Sequence, residues 1–141
     1  MLDKNFIIRK INLIQEELKY LIPIKNITFN EIFQDPIKQA AVERFLERVI
    51  NRAIDVNQHI IAETSKENIN PPTTYKETFT QLADINVYPK EFAENISKSV
   101  GLRNILLHEY DKTNLEKLYS SINHCLQDYN KYCQYILDFI D

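Results

Sequence analysis

Apolar residues recur at three- and four-residue intervals along nearly the whole chain, with polar residues filling the gaps. Combined with one glycine and five prolines, that period predicts an all-α fold. A first helix is expected after Asp3, a plausible N-cap, with Phe6, Ile7, Ile11, Ile14, Leu18 and Leu21 on its apolar face and Pro23 ending it. A short turn of helix is expected from Thr28 to Phe33. Asp35-Pro36 opens a second long helix, because proline fits the first helical position. That helix runs to about Glu63, with Ala41, Phe45, Val49, Ala53, Val56 and Ile60 as its buried stripe. Residues Thr64 to Thr74 read as the main loop. A short helix covers about Tyr75 to Asp84, and Tyr88-Pro89 opens another. Asp111 to Asn114 is a polar break. A last helix runs from about Leu115 to Phe139, with Tyr119, Ile122, Leu126, Tyr129, Cys133 and Ile136 on one face. Long helices with short links predict an antiparallel bundle of four to five helices, in a single domain over 1–141.

Composition narrows the function classes. Hydrophobic residues make up 44% and charged residues 26%, ordinary for a globular protein. The net charge of −3 argues against a broad nucleic-acid surface, so an anionic partner must be held by a local patch. No signal peptide and no membrane span is expected. Cys125 and Cys133 fall about 12 Å apart along one helix, beyond the roughly 7 Å a disulfide can bridge. They are expected to be free thiols, as in a cytoplasmic protein. No residues have zinc-ligand spacing, so no metal and no cofactor is expected.

The candidate chemistry lies in Gly101-Leu102-Arg103-Asn104-Ile105-Leu106-Leu107-His108-Glu109-Tyr110, which holds the only glycine. A glycine inside a helix costs about 1 kcal/mol against alanine, so a close approach of a second helix or a ligand is expected at Gly101. Ala93, Ser97, Gly101, Asn104 and His108 form one small and polar stripe, expected at a dimer cleft. Phe92, Ile96, Val100 and Leu107 form the core stripe. Arg103 and His108 stand about 140° apart on an ideal helix. They share a site only if the helix ends or kinks, or if a second chain contributes. A histidine moves protons near neutral pH, and an arginine grips phosphate oxygens in two-pronged fashion. That pair suits cleavage of RNA by its own 2′-hydroxyl without a metal. Blander roles stay open: His108 capping a helix end, Arg103 in a surface ion pair with Glu109 or Glu116, Tyr110 as a half-buried aromatic, Gly101 serving helix packing. His59 and His124 are expected to be structural.

Arginine, four residues, histidine, one residue and tyrosine form the signature of the HEPN superfamily, and the segment 101–110 resembles its HepT-like toxin branch. The order of helices, Ala53-Ile54-Asp55-Val56-Asn57 and Pro72 through Leu82 are similar to that branch as well. The resemblance implies a homodimeric helical bundle with two motifs at the interface and a metal-independent endoribonuclease. Arg103 and His108 would be its catalytic pair and Asn104 a supporting polar residue. It further implies a partner, an MNT-type nucleotidyltransferase antitoxin, that transfers AMP to Tyr110. The alternative is a non-catalytic HEPN module that partners a nucleotidyltransferase.

Overall fold

A computed structural model of the chain describes residues 1–64, 70–107 and 112–141. Among these residues every regular element is helical. Helix α1 spans Lys4–Leu21. The Asp3 carboxylate accepts the Phe6 amide at 3.0 Å, satisfying one of the orphan donors at a helix start. A 3-10 turn over Ile22–Asn26 absorbs Pro23. Helix α2 covers Phe29–Gln34, capped by Thr28, and α3 runs from Pro36 to Thr64. Then follow α4 (Tyr75–Asp84), α5 (Lys90–Ser97), α6 (Ser99–Leu107), α7 (Lys112–Ser120) and α8 (Ile122–Ile140). Helix α1 packs on both α3 and α8, α3 on α4 and α6, and α4 on α5. The architecture is the expected α-helical bundle.

Two expected long helices are each interrupted at one residue, Lys98 and Ser121. Serine hydroxyls explain both breaks. Ser97 and Ser99 donate to the carbonyls of Glu94 and Ile96 at 2.8 and 2.7 Å. Ser120 and Ser121 both donate to that of Lys117 at 2.9 and 2.8 Å. Such back-bonding competes with the helix ladder and bends it. Helix α7 also starts at Lys112, earlier than the polar composition there suggested.

The buried stripe of α3 departs from expectation in its first half. Val42 and Leu46 are buried where Ala41 and Phe45 were expected, and these two are half-buried. Val49, Ala53, Val56 and Ile60 are buried as expected. Phe45 lies instead at the rim, stacked on Tyr20 at 5.2 Å. Helices α1 and α3 meet around Glu17 of α1, which accepts from Arg52 of α3 at 2.8 Å.

A polar knot sits inside the bundle. Asn57 is fully buried. Its amide donates to the Thr78 hydroxyl at 3.2 Å, and its carbonyl accepts the Tyr132 hydroxyl at 2.6 Å. This joins α3, α4 and α8 through side chains that each find a partner, as burial demands. The rings of Phe79, Tyr88, Tyr129, Tyr132, Tyr135 and Phe92 pack around it. Tyr132→Phe removes one donor and leaves the Asn57 carbonyl unpaired. A loss of about 1–3 kcal/mol in unfolding free energy is expected, read as a lower urea midpoint with an unchanged m-value.

Candidate functional site

The break at Lys98 reorganises the stripe expected at the dimer cleft. Ala93 is fully buried and Ser97 nearly so, both inside the chain. Gly101 and Asn104, beyond the break, are exposed. One continuous stripe therefore becomes an inner half on α5 and an outer half on α6. The physical cause is the change of register across Lys98, which the ideal-helix projection did not contain. Val100, like Ile96, is buried as expected, while Phe92 is half-buried.

Among the described residues, and setting aside its own helix backbone and chain neighbours, nothing lies within 4 Å of where a Cβ on Gly101 would stand. Helix packing among the described residues is thus not the reason for this glycine. At this position the described residues leave open space.

Arg103 is half-buried and held by two neighbours. Its Nε donates to Asn51 Oδ1 of α3 at 2.7 Å. Its guanidinium carbon lies 4.7 Å from the centroid of the Tyr75 ring, at the start of α4. The ring face attracts the cation, and the amide fixes the plane of the fork. Among the described residues no carboxylate pairs with Arg103, so the surface ion pair with Glu116 is not formed. Neither Asn51 nor Tyr75 was singled out from sequence. Asn51 lies 52 residues from Arg103, and no local spacing signals such a contact.

His108 and Tyr110, the remaining expected site residues, lie outside the described residues, as does Glu109. Helix α6 is described as far as Leu107. His59 is structural as expected: its Nε2 accepts the Asp3 amide at 2.9 Å. It also packs on Phe6 at 5.1 Å.

Two clefts flank α6. The first, of ≈ 810 Å³, includes Gln58, Tyr75, Lys76, Lys98, Gly101 and Asn104 in its walls. The second, of ≈ 730 Å³, includes Lys98, Gly101, Lys117, His124, Cys125 and Asp128. Cys125 beside His124 invites comparison with a thiol nucleophile and its base. The geometry of burial argues against that. Cys125 is buried, and its thiol is pushed up to about 12, by desolvation first and then by the Asp128 carboxylate. A thiolate nucleophile needs the opposite shift. Desolvation also raises the Asp128 carboxyl, which His124 and Lys131 partly offset. Cys133 is likewise pushed up to about 12 by burial, and neither cysteine forms a disulfide.

Residues 7–136 match the family described as HepT-like, Ribonuclease HepT-like. The chain belongs to that family. It is 31% identical over 131 residues to a tRNA nuclease HepT of Aphanizomenon flos-aquae, covering 93% of this chain and 87% of that one. It is 31% identical over 103 residues to an mRNA nuclease HepT of Shewanella oneidensis, covering 73% and 75%. Among solved structures it resembles the tri-AMPylated HEPN toxin of Shewanella oneidensis in complex with MNT antitoxin. There the TM-score is 0.80 and the identity 29%, over 98% of this chain and 99% of that one.

The buried thiols give a direct check. With both held near 12, almost no thiolate exists at pH 8. Ellman's reagent is expected to read close to no thiol in the native protein and both in guanidinium. Rapid reaction of a native thiol would show that the second cleft is open at Cys125.

Proposed function

We propose that this protein is the nuclease toxin of a toxin–antitoxin pair, cleaving RNA through Arg103 and His108 without a metal ion. The observation that carries the reading is the state of Arg103. It is oriented by Asn51 and Tyr75, and no described carboxylate neutralises it. A guanidinium fixed in this way is prepared to receive phosphate oxygens. The two HepT relatives, nucleases of tRNA and of mRNA, support RNA as the substrate class.

The chemistry follows from the groups. A base takes the proton of the 2′-hydroxyl, its oxygen forms a bond to phosphorus, and the bond to the 5′-oxygen breaks. That oxygen takes up a proton as it leaves. His108 serves one of these two transfers. Arg103 stabilises the charge that builds on the phosphoryl oxygens. In a homodimer two motifs meet, so that one cleft draws both groups from two chains. Asn104, exposed on the same helix, supplies an amide to the substrate backbone.

Control falls to Tyr110. An MNT-type nucleotidyltransferase antitoxin joins the phenol oxygen to the α-phosphorus of ATP, and pyrophosphate leaves. The added phosphate carries negative charge into a site built to attract phosphate. The tri-AMPylated toxin found with its MNT antitoxin supports this mode of control. The net charge of −3 favours the alternative, a non-catalytic module that partners the nucleotidyltransferase. Activity on RNA decides between them.

The test is incubation of the pure protein with total RNA in EDTA. Cleavage with 2′,3′-cyclic phosphate ends is expected. His108→Ala should lose about 10²- to 10⁴-fold in rate, and Arg103→Ala about 10²- to 10³-fold. Full activity in either variant, or strict dependence on a divalent metal, overturns the mechanism.

Asn51→Ala should lower the rate about 10-fold on its own, by analogy with other orienting contacts. In an Arg103→Ala background it should change nothing further, since it acts through Arg103. Additive losses would detach Asn51 from the site.

After incubation with the antitoxin, ATP and magnesium, intact mass should rise in steps of one AMP. The rise should be absent in Tyr110→Phe. Modification mapped to Tyr119 instead would defeat the assignment.

A further inference from the structure

The first cleft beside α6 sets Gln58, Lys76 and Lys98, which the reading above does not use, beside Tyr75 and Asn104, which it does. One wall is the start of α4, with Tyr75 and Lys76. The other is Lys98, Gly101 and Asn104, and Gln58 of α3 completes it.

Tyr75 is the informative member. Every other described tyrosine packs against a second aromatic ring. Tyr75 does so with none among the described residues, and it remains 43% exposed. Its ring touches the Arg103 guanidinium and also lines the cleft. Lys76 and Lys98 are exposed and have no ion-pair partner among the described residues. Gln58 and Asn104 are exposed amides that can both donate and accept. An exposed aromatic ring with no second ring packed on it, lysines and amides are the means by which proteins hold single-stranded RNA. The cleft volume lies in the range of small-ligand sites.

We infer that this cleft is a subsite for one nucleotide of the RNA strand, adjoining the phosphate that Arg103 holds, with Tyr75 as the stacking surface. The inference rests on the nuclease reading for its ligand. The ring supports Arg103 and receives a base, so phosphate and base are placed relative to each other by one side chain. Lys76 and Lys98 neutralise the flanking phosphates. Gly101 leaves its wall of the cleft without a side chain. Stacking tolerates any base, while Gln58 can distinguish base edges by its hydrogen bonds.

The test measures affinity for fluorescently labelled single-stranded RNA in the His108→Ala protein, so that substrate is not consumed. Tyr75→Leu should weaken binding about 10-fold, and Tyr75→Phe should bind as the parent does. Lys76→Ala with Lys98→Ala should reduce the salt dependence of binding by about 0.7 per lysine. The Tyr75→Leu loss should persist in an Arg103→Ala background. Circular dichroism should show the Tyr75, Lys76 and Lys98 variants folded, since these side chains are exposed.

Unchanged affinity in Tyr75→Leu overturns the subsite. So does a loss that vanishes when Arg103 is absent, which would leave Tyr75 only positioning Arg103. Loss of antitoxin binding with RNA affinity intact assigns the cleft to the protein partner and likewise overturns it. The unsubstituted protein is assayed for cleavage in parallel. Binding that depends on Tyr75 without any cleavage sinks the nuclease reading and leaves the subsite standing. Cleavage with unchanged Tyr75→Leu affinity and KM does the reverse. A protein that neither binds nor cleaves RNA overturns both.

Discussion

The buried contact between Asn57, Thr78 and Tyr132 sets the geometry on which the site depends. Asn57 belongs to α3, which also carries Asn51 and Gln58. Thr78 belongs to α4 and stands one turn from Tyr75, whose carbonyl its hydroxyl also meets at 2.6 Å. The knot therefore fixes the start of α4 against the middle of α3. Arg103 bridges those same two helices, touching Asn51 on one and Tyr75 on the other. A slip of α4 would separate Tyr75 from Asn51 and dissolve the cradle. Buried polar contacts add little net stability but penalise wrong arrangements heavily. Here that penalty protects the position of a charged group some distance away.

The second constraint is the glycine. Gly101 has no positive backbone angle and no neighbour that a Cβ would strike. Nothing among the described residues requires it, yet it costs the helix about 1 kcal/mol relative to alanine. A residue that is locally unfavourable and unexplained by the described residues is what the proposed external contact at this helix would require. Both clefts include it, and both also include Lys98 at the break between α5 and α6. The exposed part of α6 thus contributes to the walls of both clefts. Ala93 plays no part in them, being fully used inside the bundle, whereas Ser97, though nearly buried, still contributes to the wall of the first cleft.

Much of the fold was legible because helical periodicity is a local signal. Asp3, Thr28, Pro36 and Tyr75 mark helix starts that sequence placed within a residue or two. The breaks at Lys98 and Ser121 were not legible. They arise from serine hydroxyls choosing a carbonyl over solvent, which composition does not determine. The stripe through Ala41 and Phe45 failed for a related reason. An ideal period has no knowledge of which neighbour occupies each face, and α2 and α7 line the cleft beside Val42. At the site, the motif was legible as a string and Arg103 as its cation. Asn51 was invisible because its partner is 52 residues away.

The acidic composition is compatible with an RNA site once distances are considered. A net charge of −3 spread over the surface acts weakly through salt, since screening at physiological strength sets in over about 8 Å. What a phosphate meets at contact is decided by the groups within that radius. Around α6 these include Arg103, Lys76 and Lys98, none of which has an ion-pair partner among the described residues. Glu17, by contrast, is buried against Arg52 and Arg48 between α1 and α3. Those two arginines are therefore engaged with the fold and add little outward field. The chain separates its cations into those that hold helices together and those left available. A local attraction of this kind gives little non-specific affinity for long nucleic acids, because few phosphates are neutralised at once. It suits a site that selects one exposed strand segment and is silenced by placing a single phosphate beside it.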